Sequence, residues 1–459
     1  MACEQAYWNS ERQVRPTLYS MSAGVCTRGG PPEGQGRCGL PANPPSILPF
    51  LGMREYFCDL HIHIGRTSEQ RPVKITAARD LTFAGIAREC VERKGIEVAG
   101  IVDCASPGVL RDIRAMLDSG EMVELPGGGL RYREALTVIL GAELEAAEAD
   151  GRGGHYVSYF PTVAALAEFS AMAAGLVTNL ELSSQRCRVP AQSLWALVTA
   201  VGGVFVPAHA FTPHKSLYGN CARRLGEIFS PEAIRSIPAL ELGLSADSHL
   251  ADRLAELADL TFLSNSDAHS LPKIAREYNV VAMAQPDYSE LLLALRREGG
   301  RRVLANYGLD PRLGKYHRTA CPDCGRIAGG EPPVLACTAC GSTQVTRGVL
   351  DRLVAIADYP EPRHPDHRPP YHYQVPLQFL PGLGPVALSK LLNRFGTEMA
   401  VLHRAPEEDL VAVVGAKVAA GILAARHGRL ALLPGGGGRY GRAVTNAAQT
   451  QMTLALGTP

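Results

Sequence analysis

The sequence predicts an α/β barrel, then a small cysteine-rich ribbon, then an α-helical C-terminal module. Three observations predict it. Seven apolar, strand-like runs lie between residues 53 and 307, each with Asp, Glu or His at or near one end. Stretches with 3.6-residue apolar periodicity fall between several of them, at 81–94, 163–174 and 193–201. Beyond them stand two C-x-x-C-G segments and a Gly-punctuated pair of helical patterns. Strand-then-helix repetition argues for a parallel sheet, and polar residues gathered at strand ends argue for a closed barrel with its site on one face.

The strands, taken in order, carry the chemistry. Run 56–64 contains Asp59-Leu60-His61-Ile62-His63, and strand alternation puts Asp59, His61 and His63 on one side. Run 98–102 ends at Asp103, 136–141 leads into Glu143, and 156–160 opens after His155. Run 204–208 ends at His209, 239–244 carries Glu241, and 260–263 leads to Ser266-Asp267-Ala268-His269. Converging imidazole nitrogens and carboxylate oxygens are the donors that zinc, manganese and iron favour, so a metal cluster with hydrolytic chemistry is expected. A lone buried histidine is ordinarily a satisfied core residue. Recurrence of the same polar end through seven runs outweighs that reading.

These segments, with Gly141-Ala142-Glu143, resemble the successive motifs of the PHP (polymerase and histidinol phosphatase) superfamily over residues 53–306. Longer runs are similar to endonuclease Q, a DNA repair family that nicks beside deaminated bases. They are 207–213 (PAHAFTP), 241–248 (ELGLSADS) and 308–317 (GLDPRLGKYH). The resemblance implies a distorted seven-stranded β/α barrel. It also implies two or three divalent ions (zinc, manganese, magnesium or iron(II)) on His61, His63, Asp103, Glu143, His155, His209, Asp267 and His269. His61, His63, Glu143 and Asp267 would hold one ion, and Glu143 would bridge to a second on His155 and His209. His269 with Asp103 would serve a third or orient the leaving oxygen, and Asp267, His269 and Glu143 would carry the chemistry. Many PHP proteins have histidine directly after the aspartate of the second motif, where this chain has Cys104. Either Asp103 or Cys104 takes over that duty, or the third position is weak. The implied reaction is metal-assisted hydrolysis of the phosphodiester 5′ of uracil, hypoxanthine or related lesions in duplex DNA.

Composition bounds the rest. At 459 residues the chain should hold more than one domain. It shows neither a membrane-length apolar run nor a signal-peptide pattern, so the cytoplasm is the expected compartment and no membrane partner is expected. Net charge is +1, but residues 301–459 carry 18 Lys+Arg against 11 Asp+Glu, a positive balance beside an acidic barrel that suits a polyanion. Residues 1–52, dense in Gly and Pro over 24–49, are expected to be an unstructured or non-native extension ahead of Met53. Arg66, Lys74, Arg186 and Arg188 are candidate phosphate contacts.

Cys321-x-x-Cys324 and Cys337-x-x-Cys340, each followed by glycine, read as two knuckles binding one structural zinc in a ribbon over 308–350. A pair of redox motifs is the rival, and such motifs are not usually duplicated this closely. Residues 351–375 read as a Pro-rich linker.

Residues 376–430 resemble tandem helix-hairpin-helix motifs, with hairpins at Pro381-Gly382-Leu383-Gly384 and Val413-Val414-Gly415-Ala416-Lys417. Gly382, Gly384 and Gly415 would let backbone N–H groups approach phosphates, with Lys390, Arg394 and Lys417 adding charge. Residues 431–459 are expected to be a disordered tail. Two other functions compete with the nuclease: a histidinol-phosphatase-like phosphoesterase, which needs neither ribbon nor hairpins, and a non-catalytic DNA-binding scaffold.

Overall fold

A computed structural model describes residues 52–444. The predicted extension over 1–52 lies almost wholly outside that span. The strands are β1 (Arg54–Ile62), β2 (Val98–Ile101), β3 (Met122–Glu124), β4 (Leu130–Tyr132), β5 (Leu136–Ala147), β6 (Gly153–Phe160) and β7 (Val204–Pro207). They continue with β8 (Ala239–Glu241), β9 (Thr261–Leu263), β10 (Tyr278–Met283), β11 (Arg302–Gly308), β12 (Tyr371–Tyr373), β13 (Ala431–Leu433) and β14 (Arg442–Val444). The seven runs expected from sequence correspond to β1, β2, β5, β6, β7, β8 and β9.

The expected parallel sheet is corrected to a mixed one by the pairing. β1, β2 and β5 run parallel, but β5–β6, β6–β7, β1–β10 and β10–β11 are antiparallel. The reason is connection length: five residues, 148–152, join β5 to β6, too few for a crossover helix. β8 and β9 form a separate parallel pair. A few backbone bonds tie this pair and the loop after it to their neighbours: Ala210 N–H donates to Glu241 C=O at 2.9 Å, His63 N–H to Ala268 C=O at 3.1 Å, and Ala268 N–H to His61 C=O at 3.3 Å.

The sheet is buried on both faces because its strands split their apolar residues between two clusters. In β5, Leu136, Val138 and Leu140 join the cluster under the helices, while Ile139 joins Val157, Tyr159 and Val206 in the other. Helices Phe83–Glu89, Pro107–Asp118, Val163–Ala174 and Ala191–Ala200 cover the outer side. Thr82 and Thr162 cap two of them, accepting N–H bonds at 3.1 Å from Gly85 and Ala165.

A bulge decides where the first motif points. β1 pairs Asp59 with Ala99 but Ile62 with Ile101, so β1 holds one extra residue there. Tyr56, Cys58 and Leu60 accordingly face one cluster and Ile62 the other. Strict alternation across Asp59, His61 and His63 fails for that reason. Asp59 turns away, accepting N–H bonds from Ser266 (3.0 Å) and Ala275 (2.9 Å).

The C-terminal modules pack on this body. Buried Asp351, on the helix Val349–Ile356, accepts from Thr319 N–H and Val334 N–H at 2.8 Å each and pairs with Arg318, tying the cysteine segment down. The Pro-rich stretch is pinned as well: Arg368 pairs with buried Asp252 at 2.8 Å and stacks on Phe262. Lys94 meets Glu398 at 2.8 Å in a buried ion pair, and Tyr278 O–H shares a 2.6 Å bond with His403 Nε2. These contacts dock the helices Pro385–Phe395, Glu398–His403, Glu407–Val414 and Ala416–Arg426.

The expected disorder from residue 431 is corrected. β13 and β14 form a hairpin whose Gly435 and Gly441 N–H groups donate to Arg312 and Leu313 carbonyls at 2.7 and 2.9 Å. Glycine richness here permits close approach, since a Cβ on Gly441 would meet Leu433 O at 2.4 Å. Residues 445–459 lie outside the described span. Among the described residues no helix is long and apolar enough to cross a membrane.

Candidate metal centre

β1, β5, β6, β7 and the loop after β9 bring seven of the eight predicted ligands together. His61, His63 and Glu143 form one group of potential ligands, His63, Asp267 and His269 a second, and Glu143, His155 and His209 a third. His61 and His63 are fully buried, while the Asp267 and His269 side chains are 30% and 26% exposed and form the open side.

Hydrogen bonding fixes the imidazoles. His61 Nδ1 lies 3.0 Å from both Glu241 oxygens, and His63 Nδ1 lies 3.0 Å from Asp103 Oδ2. With Nδ1 turned to a carboxylate, each ring presents Nε2 to the centre, the arrangement seen behind metal-bound histidines. Those two Nε2 atoms face each other at 3.2 Å. Each also lies within 3.7 Å of an oxygen of both Glu143 and Asp267, so the converging nitrogen and carboxylate donors fit a divalent ion.

Carboxylate charge completes the fit. Burial opposes ionisation of Glu143, but His155 and Lys74 hold it well below the ordinary glutamate value. Burial likewise opposes ionisation of Asp267, which the bond from His63 and the charges of His61 and His269 hold well down. Glu143 Oε1 lies 3.0 Å from His155 Nδ1 and 3.3 Å from His209 Nε2.

Two predicted roles change. Asp103, expected as a ligand, instead stands behind His63, its Oδ2 also accepting Ile64 N–H at 2.7 Å. Cys104 points elsewhere: its buried thiol donates to Ile101 C=O at 3.1 Å, and burial pushes its pKa far up. Glu241, at the end of β8, is the matching support for His61.

Local backbone serves the ligands. His209 (φ +28°) and Asp267 (φ +45°) occupy the left-handed region, strain of the kind that collects at functional sites. Gly243 makes room, since a Cβ there would meet His209 Cβ at 2.9 Å.

Some contributors were missed from sequence. Lys74, read only as a phosphate contact, reaches the centre, 3.3 Å from His63 Nε2 and 3.4 Å from Glu143 Oε2. Ser183 and Ser184 join it, with Ser184 hydrogen-bonded to Glu143. They sit on a polar loop without strand or helix period, so no local signal marks them. Arg66 bonds to Gln70 C=O, Arg186 to Gly151 C=O, and Arg188 is exposed.

A cavity of about 170 Å³ adjoins the centre. His209, Glu241 and Asp267 line it together with Lys315, Tyr316 and Tyr440. Tyr440 comes from the β13–β14 hairpin.

The chain is similar to known proteins over most of its length. The uncharacterized protein YqxK of Bacillus subtilis is 49% identical over 393 residues, 85% of this chain and 99% of that protein. The crystal structure of the novel lesion-specific endonuclease PfuEndoQ from Pyrococcus furiosus superposes with a TM-score of 0.71 at 30% identity, covering 85% of this chain and 95% of that one. This chain belongs to the endonuclease Q family. A structure of endonuclease Q in complex with a 27-mer duplex bearing an abasic lesion at the active site matches with a TM-score of 0.72 at 30% identity. It covers 86% of this chain and 98% of that one. A PHP-associated family model matches residues 247–298. With converging metal-ligand groups on that fold, this endonuclease Q relative is a metal-dependent phosphodiesterase.

The remaining predicted residues lie apart from the centre. Cys321, Cys324, Cys337 and Cys340 converge, with Sγ–Sγ distances of 3.6 Å (Cys321–Cys340) and 3.5 Å (Cys324–Cys337). Four thiolates around one zinc at about 2.3 Å would stand about 3.8 Å apart. Gly325 (φ +71°) and Gly341 (φ +76°) close the knuckles, their N–H groups donating to Cys321 and Cys337 carbonyls at 2.9 Å.

Gly382, Gly384, Lys390, Arg394, Gly415 and Lys417 are all exposed. A Cβ on Gly384 or Gly415 would meet nothing within 4 Å, so at Gly415 backbone angle (φ +79°), and not crowding, calls for glycine.

Proposed function

We infer that this protein is a DNA repair endonuclease that hydrolyses the phosphodiester 5′ of a deaminated or related lesion in duplex DNA. The carrying observation is the likeness, over 86% of the chain, to endonuclease Q held on a duplex with a lesion at its active site. A free-standing phosphatase would have no use for the exposed glycine hairpins and cysteine segment that this chain keeps.

The proposed organisation is a distorted seven-stranded PHP barrel over 53–307, a zinc ribbon over 308–350 and a tandem helix-hairpin-helix module over 376–430. His61, His63, Glu143 and Asp267 would hold one divalent ion, and Glu143, His155 and His209 a second. Bound there, divalent ions supply positive charge for phosphoryl and leaving oxygens and lower the pKa of an attacking water. The residues do the rest. Asp103 and Glu241 hold both imidazoles in the tautomer that leaves Nε2 free. Asp267 and His269 present the open edge to the scissile group.

Water oxygen bonds to phosphorus as the P–O3′ bond breaks. The products are a 3′-hydroxyl and a 5′-phosphate. Tyr316, Tyr440 and Asn265 would receive the unstacked lesion in the adjoining cavity, a transfer that costs least where pairing is weak. Hairpin N–H groups at Gly382, Gly384 and Gly415, with Lys390, Arg394 and Lys417, would grip phosphates at a distance.

The test uses end-labelled duplexes carrying uracil, hypoxanthine or an abasic site, with manganese or magnesium. Cleavage 5′ of the lesion is expected, and its loss in the double variant Asp267→Ala, His269→Ala with DNA binding retained. Indiscriminate cutting of undamaged duplex would overturn the lesion reading.

A further inference from the structure

The three ligand groups at the centre share members, and sharing limits what they can bind. A neutral imidazole offers one lone pair to a metal. His63 gives its Nδ1–H to Asp103 at 3.0 Å, so only Nε2 remains. The group His61, His63, Glu143 and the group His63, Asp267, His269 therefore compete for the same nitrogen.

Glu143 divides its two oxygens differently. Oε1 faces His155, His209 and His61 at 3.0, 3.3 and 3.6 Å. Oε2 faces Lys74 Nζ at 3.4 Å and accepts from Ser184. Lys74 is held in place: its backbone N–H donates to Ile64 C=O at 2.8 Å, and Ser183 N–H donates to Val73 C=O at 2.9 Å, joining the two loops. An ammonium has three donors. Ser184 Oγ (2.5 Å) and Glu143 Oε2 take two, and His63 Nε2 stops accepting once it is a ligand. One N–H is left over on a side chain that is 15% exposed.

We propose that the centre takes two divalent ions and that the Lys74 ammonium is its third, built-in cation, aimed at a phosphoryl oxygen of the bound diester. Lys74 then contacts substrate directly and neutralises the charge that grows on phosphorus oxygens as water adds. This deepens the phosphodiester reading above and rests on it.

The experiment compares full-length wild type, Lys74→Ala and Lys74→Arg in three readouts. Metal analysis should give two ions per chain beyond the one in the cysteine site, unchanged in both variants. Calorimetric titration with inorganic phosphate should show binding about 10-fold weaker in Lys74→Ala, the value of one charge-assisted hydrogen bond. Single-turnover cleavage of lesion duplex should fall about 10²-fold in Lys74→Ala, as for loss of one preorganised donor. Ethylammonium should restore part of that rate, and Lys74→Arg should keep part of it. Three ions in the wild-type barrel, loss of metal in Lys74→Ala, or unchanged phosphate affinity would each overturn the proposal. Wild-type protein that leaves lesion duplex intact would sink the lesion reading, while metal count and phosphate titration still decide Lys74.

Discussion

Asp103 Oδ2 stands 3.0 Å from His63 Nδ1, and Glu241 repeats the relationship at His61. Two carboxylates, one just past β2 and one at the end of β8, thus face the Nδ1 atoms of two adjacent imidazoles. Asp103→Asn keeps the shape but removes the charge, so metal affinity should fall about 10- to 100-fold. Zinc titration against a competing chelator measures it. Unchanged affinity would make Asp103 a packing residue.

Cys321→Ser should release about one zinc per chain and loosen residues 318–348 first. Metal analysis with hydrogen exchange over that segment checks both parts. Equal zinc in variant and wild type would refute the four-thiolate assignment.

The helical module cannot simply be deleted to test its role, because Glu398 and His403 are packed into the body through Lys94 and Tyr278. Exposed charges are the cleaner probe. Lys390→Ala with Lys417→Ala should weaken binding equally to lesion and undamaged duplex. The slope of log affinity against log salt should become about 2 units shallower if each contacts one phosphate. A change confined to lesion DNA would mean that the module reads the lesion. Arg394, partnered with Asp409 at 3.5 Å, should contribute less.

Glu277 predicts a pH dependence of stability. Its side chain is fully buried, Oε1 accepts Leu309 N–H at 2.8 Å, and Oε2 has no partner. Burial pushes its carboxyl up to about 8. The unfolded chain loses this proton near pH 4.3, so between that value and about 8 the folded state binds more protons. Stability is complete below the unfolded pKa and declines as pH rises through about 8. Glu277→Gln should flatten the decline and raise the melting temperature at pH near 8. Parallel melting curves across the pH series would exclude Glu277 as the cause.

What the sequence determined by itself is local. A D-x-H-x-H run in an apolar strand, histidines and acids at later strand ends, and two C-x-x-C-G knuckles each bring their residues close through short-range geometry. Of these, His61, His63, Glu143, His155, His209, Asp267 and His269 converge at one centre, and the four cysteines at one sulfur cluster. Tertiary structure decided the roles. The bulge between Asp59 and Ile62 removed Asp59 from the centre, and the pairing with His63 put Asp103 behind that ring, outside the three ligand groups. Lys74 and Ser184 arrive from loops 110 residues apart, and Tyr440 reaches the cavity from a glycine-rich hairpin that has no apolar period of its own. Such placements depend on long-range packing, where a residue's partner is chosen by the fold around it and leaves no spacing in the chain to read.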